Sequence, residues 1–134
     1  MKITELLLED RNAGQNMVNM FRDFLPLAME VLGLDKLPKM EFEPEISTGH
    51  QPSFGMYVAG ENILYVALKN RHPVDILRTV AHELVHFRQD IQGELNDNSG
   101  ETGSPQENQA HEIAGVIMRH FNKRYPQYLK SKPI

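Results

Sequence analysis

The segment "TVAHELVHFRQD", residues 79 to 90, carries two histidines four positions apart with a glutamate directly after the first. On an α-helix, side chains at i and i+4 stand one turn above each other and project almost together, so His82 and His86 can offer two imidazole nitrogens to one ion. At about 100° per residue they differ by roughly 40° around the axis and Glu83 lies about 60° beyond His86, so all three share one arc. Two nitrogen ligands and a carboxylate base are what metal-assisted hydrolysis requires. An HExxH string arises by accident in about one chain in fifty of this composition, so context has to decide its meaning.

The chain has no cysteine, so a metal would have to be held by histidine and carboxylate. A third ligand is sought in "SPQENQAHEIAGVIMRHFNK", residues 104 to 123. There Ala110, Ile113, Ala114, Ile117, Met118 and Phe121 form one apolar arc. Glu107 and His111 fall within or beside it, whereas Asn108, Glu112, Arg119 and Lys123 fall on the polar side. A carboxylate directed at a core is costly unless it is paired or bound to a cation. Two explanations for Glu107 stand side by side: a metal ligand, or a capping box in which its carboxylate turns back to the Ser104 amide.

The elements that must position these groups are legible from periodicity. "GQNMVNMFRDFLPLAMEVLG", residues 14 to 33, has Met17, Phe21, Phe24, Ala28, Val31 and Leu32 at helical spacing, with Gly33 as a stop and Pro26 expected to kink or split the helix. The middle of the chain changes period. "KMEFEPEI" alternates, and Ser53 to Ala59 and Ile63 to Leu68 read as two strands joined at Gly60-Glu61-Asn62, with Pro44 suiting the first run to an edge. Pro73 and Asp75 open the HELVH helix and Gly93 ends it, with Ile76, Leu77, Val80, Leu84, Phe87 and Ile91 on its core side. A polar glycine-bearing loop then leads to the last helix, from Ser104 to about Lys123. The expected class is α+β, a single domain over residues 1–134. A small, mostly antiparallel three-stranded sheet would pack on an N-terminal helix, the HELVH helix and a C-terminal helix.

These residues resemble the zincin metallopeptidases, in particular the glutamate-zincin branch, where HExxH on one helix is joined by a glutamate from a following helix. The stretch from Ile63 to Phe121 carries the resemblance, and "PQENQAHEIA" is similar to the opening of that second helix in small bacterial and phage forms related to the ImmA/IrrE group. Unlike that group, this chain has His111 where an asparagine is usual, and "VIMRHF" lacks the closing Leu-Leu-x-Pro. The resemblance implies zinc bound by His82, His86 and Glu107, with Glu83 as general base acting on the zinc-bound water. That is a zinc-dependent metallopeptidase hydrolysing peptide bonds, with a protein or peptide as substrate. The alternative is an inactive zinc-binding structural or interaction protein on the same fold.

For oxyanion stabilisation the sequence offers His111, His120, Tyr125 and Tyr65, with His50 and His72 in loops. Asp75, Asp90 and His111 are candidates to orient the ligating histidines. The run Ile63 to Leu68 is the expected edge along which an extended peptide would pair. The net charge of -4 and the absence of a basic stripe argue against a nucleic-acid surface. No apolar run approaches a membrane span, and the acidic N-terminus is not that of a signal peptide, so no membrane partner and a cytoplasmic location are expected. The sequence does not set the oligomeric state.

Overall fold

The computed structural model describes residues 11–48 and 51–134. The N-terminal "MKITELLLED" and His50 lie outside the described residues. Helix α1, Arg11–Leu32, buries Met17, Met20, Phe24, Ala28 and Leu32 along one stripe. It does not split at Pro26, whose ring is exposed. Buried residues on both sides of the proline are held in one core, which offsets the missing backbone bond. The helix stops where Gly33 turns left-handed (φ +66°), so that the Leu34 amide can close back on the Met29 carbonyl at 2.9 Å.

Strand β1, Lys39–Glu43, is followed by a small hairpin of β2, Ile46–Thr48, and β3, Gln51–Ser53. Strand β4, Gly55–Val58, a short 3₁₀ turn and β5, Ile63–Ala67, complete the main sheet, whose order is β1-β5-β4. The β4–β5 pair is antiparallel and β1–β5 is parallel, so the sheet is mixed and not the mostly antiparallel sheet that the strand pattern suggested. The reason is topological: the chain leaves β1 through the β2–β3 hairpin and returns through β4, so β5 is inserted between β1 and β4. Period-two alternation identifies strands and their faces but carries no information on strand order. Strand β1 is an edge, as Pro44 at its end implied, and β5 is paired on both sides.

Helix α2, Pro73–Ile91, opens with His72, whose Nδ1 accepts the Val74 amide at 3.0 Å. Helix α3, Pro105–Arg124, packs along α2, and a 3₁₀ turn, Pro126–Lys130, stacks Tyr128 on Phe121. Leu64 and Val66 of β5 meet Phe24, Leu77, Val80, Leu84, Ile117 and Phe121 in one core. Ile91, assigned to the core side of its helix by spacing, is exposed at the helix end. Among the described residues, no helix is long and apolar enough to cross a membrane.

Candidate metal centre

The α2 helix is fixed to the core through Ile76, Leu77, Val80, Ala81, Leu84 and Val85, so its remaining face is held in place against α3 and β4. On that face His82 and His86 stack edge-on at 5.0 Å between ring centroids. Helix α3 begins at Ser104, whose hydroxyl accepts the Glu107 amide at 3.1 Å and donates to the Ser99 carbonyl at 2.7 Å. This caps the helix without using the Glu107 carboxylate.

The Glu107 carboxylate turns toward α2. Its Oε1 lies 2.8 Å from His82 Nε2 and its Oε2 lies 3.0 Å from His86 Nε2. His111, one turn along α3, brings its Nε2 to 3.3 Å from Glu107 Oε1 and its ring to 4.6 Å from that of His82. The ligand atoms of His82, Glu107 and His111 all lie within 4.8 Å of one another. The structure therefore brings the three sequence-proposed ligands together and adds His111. Its side chain is 70% exposed and stands at the mouth of the cluster, not inside it.

Gln89 holds the His86 ring in place. It is completely buried, and its Nε2 donates to the Gln106 carbonyl at 3.0 Å and to Gln109 Oε1 at 2.8 Å. Its Oε1 is thereby turned to accept from His86 Nδ1 at 2.8 Å. A proton on Nδ1 leaves Nε2 as the ring nitrogen facing the Glu107 carboxylate, where it can donate as the imidazolium or bind a metal ion as the neutral ring. Two acceptors at hydrogen-bond distance need a shared cation, either a proton or a metal ion. Burial holds the His82 imidazole below the ordinary histidine range, and His86 and His111 act in the same direction against the attraction of Glu107. His82 therefore favours the neutral, ligating form.

Glu83 is 7% exposed and projects beside the cluster toward β4. Burial first, and the Glu107 charge second, push its carboxyl up to about 8, while the Tyr57 amide donates to it and pulls the other way. The approach of β4 is made possible by Gly55. A methyl group there would lie 2.5 Å from Thr79 Cγ2 and 3.2 Å from Glu83 Cγ. Tyr57 closes the other end of the contact, donating its hydroxyl to Asp90 Oδ2 at 2.6 Å.

Two clefts meet over the cluster. The larger, about 540 Å³, runs between Gly55, Met56 and Tyr57 of β4 and the loop residues Leu95, Asn96, Ser99 and Gly100. That loop is a fixed wall: Gln106 Nε2 donates to the Glu94 carbonyl at 2.9 Å, and Ser99 Oγ accepts the Asn96 amide at 2.8 Å. The smaller, about 360 Å³, opens past Phe54, Arg78, His111 and Ala114.

No protein-family model, curated protein or solved structure matches this chain. Several expectations about the surroundings of the site are corrected. Asp90 orients Tyr57 instead of His86, and Asp75 touches Arg71 and Thr79 through its backbone carbonyl. Tyr125 packs against Phe121 and Tyr128, and His120 lines a groove with Leu27 and Lys123, both away from the cluster. Tyr65 and His72 do not line either cleft over the cluster, and His111 alone of the oxyanion candidates reaches it. Sequence reasoning missed Gln89 and Tyr57. The available signal for Gln89 was its position seven residues after His82, which places it on the same helix face.

Proposed function

We propose that His82, His86 and Glu107 hold a zinc ion and that the protein is a zincin-like, zinc-dependent peptide hydrolase with Glu83 as its base. The observation that supports this reading is the convergence of His82 Nε2 and His86 Nε2 on the two oxygens of one Glu107 carboxylate, at 2.8 and 3.0 Å. Two imidazole nitrogens and one carboxylate, with no thiolate, are the donor set of hydrolytic zinc sites. Zinc held there supplies Lewis acidity and makes water a nucleophile near neutral pH.

The chain's own residues account for the other parts of the reaction. Gln89 orients the His86 ring through its contact with Nδ1. Glu83 takes the proton of the attacking water on its carboxylate and passes it to the leaving amine. Burial under β4 and the Glu107 charge raise its proton affinity, and a cation held by His82, His86 and Glu107 would oppose that effect and favour the carboxylate form a base needs. The strand edge available to an extended peptide is that of β4, because β5, the expected edge, is paired on both sides. That β4 edge borders the larger cleft.

The test is Glu83→Gln. The account expects the variant to keep its zinc while cleavage of a fluorogenic peptide mixture falls by about 10²–10⁴-fold. Cleavage at the wild-type rate would contradict the role of Glu83.

A second reading, an inactive zinc-binding structural or interaction protein, is favoured by one observation: His111 is close enough to Glu107 and His82 to close the fourth coordination position. His111→Ala separates the two. Zinc affinity unchanged by the substitution supports the open, catalytic site, whereas a loss comparable to that of His86→Ala supports the closed one.

A further inference from the structure

Phe54 is the most exposed large hydrophobic side chain among the described residues, at 67%. Its ring nevertheless has a partner. The Arg71 guanidinium lies over its ring at 4.4 Å from the centroid. That guanidinium is itself anchored, with Nη1 donating to the Ala67 carbonyl at 2.8 Å and Nη2 donating to Thr79 Oγ1 at 2.6 Å and the Asp75 carbonyl at 3.1 Å. Phe54, between two strands, thus has a cationic backing on one face of its ring, and it lines both the smaller cleft over the cluster and a neighbouring groove that it shares with Arg71. Isolated surface hydrophobes need no explanation, but an aromatic ring backed by a guanidinium in a cleft shared with His82, Glu83, Glu107 and His111 is a different case.

Resting on the peptidase reading, we propose that Phe54 is the platform of a substrate subsite that selects an aromatic or branched aliphatic side chain next to the scissile peptide bond. Phe54 immediately precedes Gly55, where β4 begins, so an extended peptide laid along the β4 edge passes the ring as it leaves the cluster. Side chains of an extended peptide alternate with period two, so one of them faces the platform while its neighbours face away. The lining chemistry sets the class of that side chain. The ring and Ala114 offer apolar surface, and the Arg71 guanidinium is already occupied by carbonyl and hydroxyl acceptors. Arg78 and His111 line the same cleft as Glu83 and Glu107, so the apolar ring and Ala114, and not one sign of charge, set that class.

The experiment compares zinc-loaded wild type with Phe54→Ala and Phe54→Tyr on one library of synthetic peptides, with the cleavage sites read by mass spectrometry. Zinc content and urea midpoint of each variant serve as controls, since an exposed ring is not needed for folding. Wild type and Phe54→Tyr are expected to prefer an aromatic or branched aliphatic residue at one fixed position by roughly tenfold or more over alanine, with Phe54→Ala losing that preference at that position only. Cleavage by wild type with the same profile in Phe54→Ala overturns the subsite and leaves the peptidase reading standing. Absence of cleavage by zinc-loaded wild type overturns both.

Discussion

Replacing Gly55 with alanine tests how closely the edge strand β4 rests on helix α2. The added methyl would lie 2.5 Å from Thr79 Cγ2, 3.2 Å from Glu83 Cγ and 3.3 Å from the Tyr65 carbonyl oxygen. Carbon atoms rest at about 3.5–4.0 Å, so strand or helix must yield by roughly 1 Å. The Thr79 methyl cannot swing aside cheaply, because its hydroxyl accepts from Arg71 at 2.6 Å and donates to the Asp75 carbonyl at 3.1 Å. Overpacking of this kind destabilises by about 1–3 kcal/mol. Without a clash the sign would be reversed, since Gly→Ala at a compatible backbone position stabilises by about 0.4–1 kcal/mol. The assay is urea unfolding of wild type, Gly55→Ala, Thr79→Ser and the double variant. Thr79→Ser keeps the hydroxyl and removes the obstructing methyl, at a cost of about 0.5–1.5 kcal/mol on its own. The double variant should recover about 1–2 kcal/mol relative to the sum of the singles. Additivity within about 0.5 kcal/mol would refute the contact.

Gln89→Ala removes the amide that ties His86 to α3, leaving buried partners unsatisfied, and should lower stability by about 1–3 kcal/mol. In the same variant zinc affinity, measured by competition with a chromophoric chelator, should fall about 10–100-fold. An unchanged affinity would show that Gln89 does not orient the ligand. At the far end of the molecule, Tyr128 donates its hydroxyl to Asp23 Oδ2 at 2.7 Å, and burial together with that bond pushes its pKa from 10.0 up to about 12. The folded state therefore holds the proton more tightly than the unfolded chain. Its contribution is complete below pH 10 and is lost as pH rises toward 12. Urea midpoints across that window should fall less steeply in Tyr128→Phe, and equal slopes would contradict the assignment.

The convergence of His82, His86 and Glu107 was legible because it rests on local rules: i, i+4 projection places His82 with His86, and the apolar arc of α3 fixes the direction of Glu107. The capping alternative for Glu107 was equally compatible with the sequence. Only the packing of α3 against α2 turns the carboxylate toward the histidines while Ser104 caps the helix with its own hydroxyl. Residues whose role depends on a distant element were not legible. Gln89 reads as one more polar residue until α3 covers it, and Asp90 reads as a partner of His86 until β4 brings Tyr57 within 2.6 Å. The parallel β1–β5 pairing was hidden for the same reason, because a strand's periodicity reports its faces and not its neighbours. Pro26 ends a helix by local preference, yet shared burial on both sides carries α1 through it.

The most direct measurement is the zinc content of protein purified without an affinity tag, by elemental analysis, for wild type, Glu107→Ala and His86→Ala. The account predicts about one zinc per chain in the wild type and a large loss in both variants, because each removes one of three protein ligands. Wild-type protein that carries no zinc and takes up none on titration at neutral pH would contradict it, and the cation between His86 and Glu107 would then be a proton.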